Sequence, residues 1–200
     1  MKQVLIDTLP FEFKKTSLNE SVKDGKLLVS GVLQRAEAKN QNGRVYPEEI
    51  LKRESQKYMD NFVKQRRAMG ELDHPESSVV NLKNVSHNIV DMNWDGKDLV
   101  GTVEILPTPS GNILKELLNS GILLGISSRG MGSVKKDMKE NADVVQDDFE
   151  LIAFDFVSNP STHGAFMYPQ GKINESVDAV KSNNPYENID RIIQKILSEL

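Results

Sequence analysis

Two hundred residues, 38% hydrophobic and 27% charged, can bury the core of one ordinary soluble domain with appendages. The net charge of −4 comes from acidic and basic residues mixed along the chain, so no basic stripe suits nucleic acid; the absence of Cys excludes disulfides, thiolate metal sites and a cysteine nucleophile. Residues 1–13 lack the apolar run of a signal peptide, and nowhere do about 18 apolar residues follow one another, so a cytoplasmic chain without a membrane span is expected.

In chain order, residues 4–13 can pair as a strand, and 14–25 form a polar connection. Residues 27–36 (LLVSGVLQRA) read as a second strand, followed by a loop with an Asn42-Gly43 turn signal. Pro47, Glu48 and Glu49 suit a helix N-terminus, Ile50, Leu51, Tyr58, Phe62 and Val63 recur at helical spacing, and Gly70 is expected to end the helix. Residues 85–90 and 99–106 read as antiparallel strands around Asp95-Gly96. A short helix over 112–119 stops at Gly121, and a strand over 122–128 places a serine at its end. Along a strand over 149–157, Leu151, Ala153, Asp155 and Val157 share one face and Ile152, Phe154 and Phe156 the other. The domain closes near residue 170. Residues 171–184 form a linker, and 185–200 an amphipathic helix with Ile189, Ile192, Ile193, Ile196 and Leu197 in one stripe. No alternating βαβ series occurs, so the fold class is α+β with mainly antiparallel strands.

Without Cys, a nucleophile must be a hydroxyl. Ser127 is the first candidate, because Gly125, Gly130 and Gly132 would allow a tight or left-handed turn that exposes the side chain and aims N–H groups at it. A plain glycine-rich turn is the bland alternative. Ser128 is the rival nucleophile, and adjacent strand residues face opposite sides, so only one of the two can meet a shared histidine. His74, held between Asp73 and Pro75, suits a general base. His163 is a second candidate, whereas His87 lies in an expected strand as a packed or surface residue. Asp155, between two phenylalanines, needs a partner for its charge; orienting His74 would supply one, and so would structural pairing with Arg or Lys. Asp73 is the alternative acid, awkwardly close to its own neighbour's ring. Arg129 could bring positive charge or a backbone N–H to an oxyanion, with Gly130 beside it, or be a solvated arginine. The histidines with Glu71, Asp73 and Asp91 lack metal-ligand spacing, so no metal is expected.

Five blocks taken together resemble one family. They are Gly31-Val32-Leu33-Gln34-Arg35-Ala36-Glu37, Asn42 to Pro47, Gly70-Glu71-Leu72-Asp73-His74-Pro75, Gly125 to Ser133 and Phe154 to Ser161. In this order and spacing they resemble the prohead core protein proteases of tailed phages of the myovirus type, in the herpesvirus assemblin clan. The likeness runs from about Leu28 to Met167. It implies His74 as general base, Ser127 as nucleophile and Asp155 as the third member, with no cofactor. It also implies a closed antiparallel β-barrel with surrounding helices, and scaffold and capsid proteins as substrates. Cleavage would follow Glu, with Leu or Ile two residues before it, inside the assembling prohead in the host cytoplasm. Oligomeric state is left open, a homo-oligomer included. Leu18-Asn19-Glu20 and Ile173-Asn174-Glu175 fit that rule in polar, turn-rich stretches and are expected self-cleavage sites; Leu114-Lys115-Glu116 fits it too but falls in an expected helix. A non-catalytic capsid-assembly or scaffold component with the same fold is the alternative function, and a metal-dependent hydrolase is a third.

Overall fold

The structure, a computed structural model, describes residues 3–7, 22–23, 26–75, 77–158 and 167–169. The expected linker, the C-terminal helix, His163, Glu20 and Glu175 lie outside the described residues, as does most of the expected strand 4–13.

Two sheets carry the domain. In the first, β8 (Gly125–Gly132) is the centre, antiparallel to β1 (Gln3–Asp7) on one side and to β11 (Glu150–Val157) on the other. The second runs β12 (Tyr168–Pro169), β3 (Lys26–Arg35), β7 (Asp98–Ile105), β6 (Val85–Asp95), β5 (Met69–Glu71), with β2 (Val22–Lys23) also on β3. A small third sheet joins β4 (Arg44–Val45), β10 (Ala142–Val145) and β9 (Val134–Asp137). Nearly all pairings are antiparallel. Among the described residues these ladders do not close into the one barrel implied by the resemblance; a single parallel bridge, Leu72 to Phe156, links the segment after β5 to β11.

Helix α1 (Glu48–Tyr58) buries Ile50, Leu51 and Tyr58 and passes directly into a π-helical turn at Met59–Val63. Tyr58 meets Phe154 of β11 edge to face at 5.7 Å, so the helix covers the core side of that strand. Gly70 does not end this helix. The chain leaves it through Arg66, whose φ is +55°, and Gly70 lies in β5. A Cβ there would stand 1.9 Å from the Phe154 carbonyl oxygen and 2.3 Å from His87 Nε2, so close approach of strands, not helix termination, requires the glycine.

Helix α2 (Pro109–Asn119) begins three residues before the expected start, because Thr108 caps it by accepting from the Gly111 amide at 3.0 Å. Its far end displaces the next strand. The amides of Gly121 and Ile122 close on the carbonyls of Leu118 and Leu117, so Ile122 is spent on the helix cap and β8 starts at Gly125 instead. β8 then continues four residues beyond Ser128. The β9–β10 hairpin turns through Asn141, at φ +49°, with no glycine in the turn.

Candidate active site

Ser127 is the third residue of β8, directly opposite Asp155 of β11 in the antiparallel ladder. Residues so opposed place their side chains on the same face, about 5 Å apart at Cβ. Ser128 instead opposes Phe154 on the other face, where its Oγ accepts a hydrogen bond from Gln34 Nε2 at 2.7 Å. The rivalry between the two serines is thus a matter of register, and only Ser127 shares a face with Asp155.

His74 reaches that face from a third element. After β5, the Leu72–Phe156 bridge and the Asp73 amide on the Phe156 carbonyl (2.8 Å) lay the chain along β11. Asp73 then takes a left-handed turn, φ +68°, and its carboxylate accepts from the His74 backbone amide at 2.9 Å. Pro75 holds His74 extended, and the ring folds back so that Nδ1 lies 3.0 Å from Asp155 Oδ2. His74 Nε2 is buried and has no hydrogen-bond partner among the described residues. Asp73 is therefore occupied with backbone, and the carboxylate on the ring is Asp155.

Both partners considered for Asp155 are present at once. Arg129, two residues after Ser127 and on the same face, donates from Nε to Oδ2 (2.9 Å) and from Nη2 to Oδ1 (3.2 Å). The Glu71 amide adds a second bond to Oδ1 at 3.0 Å, the fourth on the carboxylate. Burial alone would raise the Asp155 pKa, but the bond to His74, the Arg129 charge and the Glu71 amide outweigh it and hold the carboxyl below its ordinary range. Asp155 is an anion by construction.

Two expectations about Ser127 are corrected. It is fully buried inside a strand, not displayed on a turn, and none of Gly125, Gly130 or Gly132 has a positive φ. Gly130 and Gly132 make room instead: a Cβ on Gly130 would stand 2.4 Å from the Phe149 ring, and one on Gly132 2.9 Å from the Phe149 Cα. Gly130 is held between Leu5 and Leu151 in the ladder. Arg129 is no solvated arginine but fully buried, its charge taken up by carboxylates. The face assignment along β11 also needs one change. A bulge between Leu151 and Ala153 puts Leu151 opposite Gly130, on the face away from Asp155.

His87 is buried in β6, bonded to Ser86 Oγ at 2.9 Å and to the Phe154 carbonyl at 2.9 Å. Burial pushes its pKa down to about 4 against the opposing pull of Asp155 and that carbonyl, so it is a neutral packing histidine. Among the described residues no group of His, Asp and Glu could hold a metal ion. Sequence reading missed the Arg129–Asp155 pairing as more than one of two options and missed Glu71 as its second anion. The available signal was that each of these charges stands in a short apolar or glycine-rich strand and so needs a buried counter-charge.

A family model described as prohead core protein serine protease matches residues 4–178. The prohead core protein protease of Enterobacteria phage T4 is 32% identical over 178 residues, covering 88% of this chain and 82% of that protein. The solved structure of the bacteriophage T4 capsid assembly protease superposes with a TM-score of 0.68 at 31% identity, covering 78% of this chain and 98% of that one.

Proposed function

Because the chain belongs to the prohead core protein serine protease family, we propose that it is a serine endopeptidase that matures phage proheads by cutting scaffold and capsid proteins. The observation that carries the chemistry is the Asp155 carboxylate, 3.0 Å from His74 Nδ1 and opposite Ser127 in the ladder. Ser127 Oγ attacks the scissile carbonyl while its proton passes to His74 Nε2, and the imidazolium then returns that proton to the leaving amine. Asp155 keeps Nδ1 protonated and stabilises the imidazolium without taking the proton itself. Water then attacks the acyl-serine carbonyl with His74 again as base, the bond to Ser127 Oγ breaks, and the imidazolium returns the proton to Oγ as the acyl group leaves as an acid.

Cleavage follows Glu in Leu/Ile-x-Glu contexts, within the assembling prohead in the host cell. Glu20 and Glu175 are the sites at which the chain cuts itself. These statements are carried by the family likeness together with the local sequences. Reaction with a serine-directed phosphonate, followed by mass spectrometry, tests the chemistry. Modification confined to Ser127 and lost in Ser127→Ala is the expected result. Scaffold binding with no labelling would make the chain a non-catalytic assembly component, and activity abolished by a chelator would point to a metal-dependent hydrolase.

A further inference from the structure

Asp155 is not the only carboxylate on the Arg129 guanidinium. Nη2 is divided between Asp155 Oδ1 and Glu71 Oε1, each at 3.2 Å, while Nη1 donates to the Ser77 carbonyl at 2.5 Å. Glu71, Arg129 and Asp155 are each at most 1% exposed, so water screens none of these charges. One cation against two carboxylates leaves a net −1, and the next group in line is the His74 ring. An isolated Arg–Asp pair would be neutral and would offer an imidazolium little. Glu71 removes that neutrality. Its Oε2 is buried with no hydrogen-bond partner among the described residues, a costly arrangement where a neutral side chain of equal size would pack without it. Its Oε1 also accepts the Asn81 amide at 2.9 Å, while its own amide holds Asp155, so Glu71 grips the segment that carries His74 from both ends.

We propose that Glu71 is a positioning residue of the proteolytic site: acting through Arg129, it offsets the guanidinium so that Asp155 keeps the negative charge that stabilises the His74 imidazolium. The inference rests on the reading of His74 as general base. Three other described titratable groups face the cluster. Asp73, on the His74 segment, is exposed and bonded to backbone. Tyr58, on α1, is kept un-ionised by burial and by the Asp155 charge, and His87, on β6, is kept neutral by burial. Near neutral pH the buried charge felt by His74 is therefore set by Asp155, Arg129 and Glu71.

The test is an NMR titration of the His74 imidazole in the full chain carrying Ser127→Ala, with and without Glu71→Gln. Loss of the Glu71 charge should lower the midpoint by about half a pH unit or more, roughly a threefold loss of proton affinity. Glu71→Asp should return it toward the parent value. In the active chain the acid limb of kcat/KM should move the same way, with KM within about twofold. Coincident midpoints would overturn the inference even if activity fell, because a structural role lowers activity without moving the titration. Should Glu71→Gln not fold, Glu71→Met is read instead. If no neutral residue at 71 folds while Glu71→Asp does, Glu71 holds the fold and the inference is likewise overturned. Failure of the underlying reading shows separately, as phosphonate labelling that survives Ser127→Ala.

Discussion

Ser127 and Ser128 are neighbours that differ in nothing but the side of a sheet they face, which makes them the sharpest comparison at the residue scale. Ser127→Ala should lower cleavage of a Leu-x-Glu peptide by about a millionfold while leaving the melting temperature nearly unchanged, since Oγ is deleted with little packing. Ser128→Ala should stay within about tenfold of the parent, its cost being the Gln34 hydrogen bond. His74→Ala should match Ser127→Ala in rate, and Asp155→Asn should cost roughly ten-thousandfold, far more than Asp73→Asn. A larger loss at Ser128 than at Ser127 would put the reacting face on the wrong side of β8.

His87 gives a second residue-scale expectation, in stability. Its folded pKa of about 4 lies below the ordinary 6.5, so the unfolded chain binds the extra proton between those values. Stability is therefore complete above about pH 6.5 and falls as pH drops toward 4, by about 3 kcal/mol from this group. Asp155, whose folded pKa is also depressed, adds its loss only below the ordinary carboxylate range. Denaturant melts at pH 7, 5.5 and 4 should show the fall, and His87→Gln should flatten it above pH 4. An unchanged slope in that variant would assign the acid sensitivity to other groups.

At the scale of elements, the site depends on β5 lying hard against β11. Gly70 is the point of closest approach, with the Phe154 carbonyl where a Cβ would be. Gly70→Ala must push the strands apart, at a cost on the order of 2–4 kcal/mol. The displacement acts on the two residues that follow β5's closest contact: the Glu71 amide leaves Asp155, and the segment bearing His74 shifts with it. Activity measured well below the melting temperature should fall by more than tenfold. A variant that melts early yet keeps full activity when folded would separate the strand contact from the positioning of His74.

For the whole molecule, the expected outcome is self-processing. Intact-mass analysis of active protein over time should show loss of residues 176–200, while Glu175→Gln retains them and Ser127→Ala retains both ends. The matching sequence Leu114-Lys115-Glu116 lies within α2, where an extended strand cannot enter an active site without unfolding the helix, so no cut after Glu116 is expected while the domain is folded. A tail that persists in active enzyme, or is cut elsewhere, would remove the support for Glu175 as a processing site.

The available chemistry and the local elements are legible in the chain's residues alone. The absence of Cys left hydroxyls as nucleophiles, the Asp95-Gly96 pair marked its hairpin, Pro47 with Glu48 and Glu49 marked the start of α1, and motif order identified the family. These are short-range or compositional properties, carried by residues a few positions apart. Which side of β8 meets Asp155 emerges from the folded sheet, because face assignment depends on register against β11 and on a bulge at Leu151–Ala153 that no period-two pattern reveals. The fold likewise turned Gly70 from a helix stop into a strand contact, and Gly130 and Gly132 from a turn into clearance for Phe149. A glycine is equally suited to a left-handed turn and to close packing, and only the neighbour that fills the missing Cβ tells them apart. The sharing of Arg129 between Asp155 and Glu71 joins residues 26 and 58 positions apart, and burial is what makes their charges seek one another.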